Sequence, residues 1–221
     1  MLNQATFFIY ALLILLFSAI IHEISHGFSA KLQGDNTAEA AGRLTLNPLP
    51  HLDPFGSIIL PLLLALPAIF GAPTVIIGWA KPVPFNPANL KNKKWGPALV
   101  AIAGPLSNIF IALIFGLVLR LLPTLSMLPT LNSFLMVIVW INLLLAVFNL
   151  IPIPPLDGSK LLFSFFLAFG RSYTSKLLQV ELWLERYGFV LLLFFIFFGF
   201  NLILPVISAL YKIITGQPFG F

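Results

Sequence analysis

Cysteine is absent from the 221 residues, which excludes disulfides and thiolate metal ligands together. Charge is scarce as well: 9% of residues are Asp, Glu, Lys or Arg, against about 25% in soluble domains. Only 3 histidines and 7 acidic residues remain as strong metal ligands. What fills the chain instead is apolar, 59% of residues being hydrophobic at a mean hydropathy of +1.02. That balance excludes a soluble globular domain. Apolar runs longer than about 18 residues predict spanning helices, not the short alternating strands of an outer-membrane barrel. The net charge of +5 does not call for nucleic acid, because the basic residues are scattered over short loops, where they orient a chain across a bilayer.

The expected fold is therefore an all-α integral membrane protein, a polytopic helical bundle forming one domain over residues 1–221. Four segments read as spans: Phe7 to Ala30, Pro97 to Leu119, Phe134 to Ile151 and Gly188 to Leu210. The first is too long for the apolar part of a cleaved leader and has no basic residue before it, so it reads as retained. A fifth segment, Gly56 to Trp79, is apolar enough to cross, but Pro61, Pro67 and Pro73 interrupt its helix ladder. If it dips in and returns, every basic residue except Arg120 and Lys212 falls on one side; if it crosses, that asymmetry dissolves. A re-entrant or interfacial segment is expected on that ground, with the loops cytoplasmic. Arg171 to Tyr187 mixes charged and apolar residues as an interfacial amphipathic helix would. In Lys81-Pro82-Val83-Pro84-Phe85 alternate prolines remove amide donors from one edge, so the stretch is either a simple connector or an extended segment lying against the site.

Within the first span sits His22-Glu23-Ile24-Ser25-His26. Even low estimates charge roughly 2.5–3.5 kcal/mol for an acidic or basic side chain at the centre of a spanning helix, so groups kept there need a partner or a task. A metal ion supplies both. Residues four apart share a helical face, about 6 Å apart at Cβ, which suits His22 and His26 as two ligands of one Zn2+. Glu23, one residue off that face, is placed to hold a water without itself ligating.

A catalytic zinc usually takes three protein ligands and keeps a fourth position open. Asp157 is the best placed third ligand, in Pro152-Ile153-Pro154-Pro155-Leu156-Asp157-Gly158, where prolines end a span and allow a carboxylate to fold back. The topology agrees: with a re-entrant fifth segment, two crossings separate His26 from Asp157 and both end at one membrane face. His51 and Asp53 form the second candidate.

Three motifs in this order resemble the site-2-protease family of intramembrane zinc metalloproteases: His22 to His26, then Ala103-Gly104-Pro105-Leu106-Ser107-Asn108, then Asn149 through Gly158. The resemblance covers residues 7–169 and is to a compact prokaryotic branch without separate regulatory domains. It implies that His22, His26 and Asp157 bind zinc, that Glu23 is the general base and that Asn108 lies close to the site. The implied substrates are membrane proteins cleaved in or near transmembrane segments, in a prokaryotic inner membrane, with the active site near the cytoplasmic face. Asn108 either donates to a developing oxyanion or bonds across a tight helix contact. Asn149 is a candidate to orient Asp157.

Two other functions fit part of the pattern. A membrane metal carrier or catalytically silent scaffold would keep a metal site, although a carrier favours ligands spread along a pathway. Zinc peptidases that trim prenylated proteins take a late Glu as third ligand, for which Glu181 and Glu185 are the choices.

Overall fold

The computed structural model describes residues 4–59, 62, 63, 66, 79–122, 128–169 and 175–219. Among them all regular structure is helical and no strand occurs. Four helices are long and apolar enough to cross a membrane, over Phe8–Leu32, Gly96–Leu121, Pro129–Asn149 and Gln179–Leu202. The chain is a multi-pass helical membrane protein.

Helix α1, Gln4–Leu32, runs through an apolar sequence with no proline and no glycine before Gly27. It stops at Gly34, whose φ of 99° lies in the left-handed region. Gly34 N–H donates to Lys31 O and Asp35 N–H to Ala30 O, a closure that satisfies the last carbonyls and turns the chain sharply. A four-residue helix α2, Thr37–Ala40, follows, then irregular chain. Helix α3, Gly96–Leu121, starts with Pro97 in its first turn, where no amide partner is needed, and carries Pro105 inside. Helix α4, Pro129–Asn149, ends before a proline-rich turn containing a cis Pro154–Pro155 peptide. Helix α5, Asp157–Phe169, begins on the acidic residue itself. Helices α6, Ser175–Phe194, and α7, Leu204–Thr215, complete the chain.

Lipid tails are as apolar as leucine, so helices in a membrane associate through close packing and buried polar contacts, not through burial of oily surface. The buried face of α3 follows that rule: Ala101, Gly104, Asn108, Ala112 and Gly116 recur every three or four residues, all small or polar. This stripe lets α1, α4, α5 and α7 approach. The apolar core lies between α1, α3, α4 and α7, around Ile14, Ala112, Leu143, Ile207 and Tyr211.

Two expectations need adjustment. The last long span begins before Gly188, at Gln179, because Glu181, Glu185 and Arg186 do not interrupt the helix. Gly188 instead permits contact: a Cβ there would lie 2.5 Å from Pro154 O. The break comes later, in a wide turn over Phe195–Gly199, and Pro205 opens the separate helix α7. Most of the Gly56 to Trp79 segment, and with it the re-entrant expectation, lies outside the described residues, as do residues 171–174 at the start of the expected amphipathic helix.

Candidate metal centre

His22 and His26 project from one face of α1 toward α3, their rings edge-on at 4.7 Å between centroids. What admits them is an absence. A Cβ on Gly104 would stand 2.5 Å from His26 Nε2 and 2.6 Å from His22 Nε2, so any other residue in α3 would occupy the space of the imidazoles. Both rings are buried, at 5% and 8% exposure.

Each ring has a fixed proton. Ile138 O can only accept, so the side-chain amide of Asn142 donates to it through Nδ2 (2.9 Å) and also to Ser18 Oγ (3.0 Å). Asn142 Oδ1 then accepts from Asn108 Nδ2 (2.9 Å), which also donates to Ser18 O (3.3 Å). Asn108 must therefore turn Oδ1 to His22, where Nδ1–H donates to it at 2.6 Å. His26 is set more directly, its Nδ1–H donating to Val100 O at 2.7 Å. In both imidazoles Nε2 is left as a lone pair.

The two lone pairs meet a carboxylate. Asp157 Oδ2 lies 3.0 Å from His22 Nε2 and 3.1 Å from His26 Nε2. The chain reaches this point through the turn after α4, where a Cβ on Gly158 would overlap the carbonyls of Leu150 and Ile151. Ser159 N–H and Oγ both donate to Leu156 O, closing the first turn of α5. Lys160 Nζ stands 3.4 Å from Asp157 Oδ1, so the carboxylate offers a single oxygen to the imidazoles.

This donor set fits zinc. With both imidazoles neutral, three electron-pair donors converge with no hydrogen among them, and a cation resolves the repulsion. Ligand atoms around a tetrahedral zinc with bonds of about 2.0–2.1 Å stand roughly 3.3 Å apart, close to the spacing seen here. Glu23 also borders the cluster, one of its oxygens within 4.8 Å of the histidine nitrogens. Asp157 is the carboxylate in contact with both rings, and Glu23 Oε2 is already engaged, accepting from Val83 N–H at 2.8 Å. A cavity of about 110 Å3 opens beside them, lined by Glu23, both histidines, Pro82, Val83, Asn149, Pro155, Asp157 and Lys160 among others. That is room for several waters.

The structure thus brings His22, Glu23, His26 and Asp157 together, with Asn108 bonded to His22 Nδ1. Asn108 is fully buried behind His22, and its amide group donates to Ser18 O and Asn142 Oδ1. Asn149 lines the cavity, but its Nδ2 donates to Leu145 O in its own helix. His51 and Asp53 do not join the cluster. His51 Nε2 donates to Thr45 O, and Asp53 Oδ1 accepts from Phe55 and Gly56 N–H as a turn cap. Glu181 and Glu185 sit on α6 and do not line the cavity. Sequence reading missed Ser18 and the direction of the amide relay, although a serine and two asparagines inside apolar spans are themselves a signal.

Comparison with known proteins agrees with this centre. The family model "Peptidase family M50" matches residues 124–195. Several relatives carry the name "Putative zinc metalloprotease". YwhC of Bacillus subtilis (strain 168) is 38% identical over 208 residues, covering 90% of this chain and 86% of that protein. Rip2 of Mycolicibacterium smegmatis is 33% identical over 147 residues, 65% of this chain and 52% of that protein. MJ0611 of Methanocaldococcus jannaschii is 41% identical over 63 residues, 28% of this chain and 31% of that protein. No solved structure matches significantly. With four membrane-spanning helices, a zinc-compatible donor set and a relative alike over nearly its whole length, the chain belongs to peptidase family M50, the site-2 protease family of zinc metalloproteases.

Proposed function

We propose that this protein is a zinc metalloendopeptidase that hydrolyses peptide bonds within or near transmembrane segments of membrane-protein substrates, with His22, His26 and Asp157 as zinc ligands and Glu23 as general base. The observation that carries the reading is the convergence, at 3.0–3.1 Å, of two imidazole nitrogens from a membrane-spanning helix and one carboxylate oxygen from the start of α5.

Zinc, when bound there, supplies a Lewis acid for the scissile carbonyl and makes water acidic enough to attack near neutral pH. Glu23 lines the cavity and its Oε2 accepts from Val83, so in this reading one oxygen is oriented and the other takes the proton of the attacking water. The same carboxylate then delivers that proton to the leaving amine, and such acid–base work contributes typically about 10²–10⁴-fold. Asn108 and Val100 act on the rings and not on the substrate, holding each Nδ1–H so that Nε2 stays available. A helical substrate must unwind to expose a carbonyl here, and residues 81–86, which lie outside any helix and contribute Pro82, Val83 and Phe85 to the cavity wall, give its strand a neighbour.

The active site belongs near the cytoplasmic face in this reading. Lys31, Arg43, Lys81, Lys91, Lys93, Lys94 and Lys160 lie in or next to the loops at the site's end of the bundle. Arg120 is instead in the last turn of α3, where it bonds Ile213 O beside Lys212. A carrier would need a succession of ligand groups, whereas the ligand-type residues buried in the helices gather at one point.

The test is direct. Purified protein incubated with single-span membrane peptides should cleave them, cleavage should stop with a zinc chelator, and Glu23→Gln should abolish it with zinc content unchanged. Zinc loss in that variant, or chelator-resistant cleavage, would sink the assignment.

A further inference from the structure

Two charged side chains outside the zinc cluster are buried with no ion pair among the described residues: Asp35 at 0% exposure and Arg43 at 6%. A buried charge without a counter-ion is destabilising unless strong hydrogen bonds hold it. Both residues direct such bonds to one stretch of backbone. Arg43 Nη2 donates to Lys81 O (2.5 Å) and Pro82 O (3.2 Å). At the other end, Asn86 N–H donates to Asp35 Oδ2 (2.6 Å) and Asn89 Nδ2 to Asp35 Oδ1 (3.0 Å). Thr37 adds its N–H and its hydroxyl to Asp35 Oδ1. Four donors fill the acceptor capacity of a carboxylate, and a neutral Asn at 35 would have one oxygen for them.

Between these two anchors lies the contact with the base. Pro82 and Pro84 have no N–H, so Val83 carries the only amide hydrogen of three consecutive residues, and it is given to Glu23 Oε2. The Val83 side chain seats on α1 one turn further on: a Cβ on Gly27 would stand 3.0 Å from Val83 Cγ1. Both anchors come from the chain that leaves α1. Asp35 is the third residue past the end of that helix, and Arg43 follows the left-handed Gly42. The helix that carries His22, Glu23 and His26 therefore returns, through its own extension, to grip the segment that touches Glu23.

We propose that Asp35 and Arg43 are positioning residues that clamp residues 81–86 across α1, so that the Val83 amide fixes one oxygen of Glu23 and leaves the other for water. This rests on the role of Glu23 given above. The charges are needed because hydrogen bonds to an ionised partner are roughly twice as strong as neutral ones.

The experiment compares Arg43→Gln, Arg43→Lys and Asp35→Asn with wild type in the full chain. It reads amide hydrogen exchange at Val83, zinc content, and kcat and KM on a membrane peptide that wild type cleaves. Arg43→Gln and Asp35→Asn should speed Val83 exchange and lower kcat roughly 100-fold, the scale of an ångström-sized misplacement, with zinc content and KM little changed. Arg43→Lys should recover most of both. Unchanged exchange and kcat would overturn the proposal, as would activity falling only in step with zinc or folded protein in all three variants. Faster Val83 exchange in the variants of a wild type that cleaves no peptide would uphold the clamp and reject proteolysis. Unaltered exchange alongside wild-type cleavage would reject the clamp alone.

Discussion

Helix α3 and the span that begins in α6 look alike in composition and differ in what they touch. Their windows have mean hydropathies of 2.2 and 1.7, yet 39% of the first is buried in the protein and 6% of the second. On α6, Trp183, Tyr187, Phe189, Val190 and Phe194 stay exposed, as side chains facing lipid do. On α3 most buried positions are small or polar, Val100 and Leu119 being the larger aliphatic ones. In a bilayer, then, apolarity marks which segments cross, and small or amide side chains mark which of them build the site.

That contrast can be attacked at three strengths. Gly104→Ala should have the largest effect, because its methyl would enter the space of two rings pinned through their Nδ1 atoms. Zinc affinity should fall on the order of 100-fold or more, measured by competition with a chelator. Full occupancy in that variant would show that the rings relocate freely and that α3 is ordinary scaffold. Asn108→Ala comes next. It frees the His22 tautomer and leaves Asn142 Oδ1 without its donor, so a loss of about 10–100-fold in zinc affinity is expected. Loss of activity without loss of zinc would return Asn108 to the substrate. Val190→Ala, on α6, should change zinc affinity and cleavage hardly at all and thermal stability by less than about 0.5 kcal/mol. A drop comparable to that of Asn108→Ala would erase the distinction between the two helices.

Much of this was legible in the residues alone. Hydropathy placed α1, α3 and α4 to within a few positions, because a long apolar run has one use. The i, i+4 histidines and the carboxylate beside them needed only helical geometry, and Asp157 followed from the proline-rich stop after α4. Other features depend on distant partners. The direction of Asn108 is decided by Ser18, 90 positions away, and by Asn142, 34 away, so an oxyanion role and a helix contact could not be told apart from its neighbours in sequence. The start of the last span differs because Glu181, Glu185 and Arg186 read as a boundary between two helices, whereas one exposed helix tolerates charges where it meets water. Asp35 and Arg43 passed as ordinary loop residues, since nothing local announces that a charge will be buried.

The missing side chain at Gly104 also decides where a polypeptide can come in. With the α3 backbone pressed onto the imidazoles, the flank between α1 and α3 is sealed. Among the described residues, Pro82 and Val83 line the cavity from the loop before α3, and the exposed Pro155 and Lys160 line it from the turn after α4 and from α5. In the proposed reaction a peptide reaches the metal centre along those cavity walls, uncoiled over the few residues that pass between them.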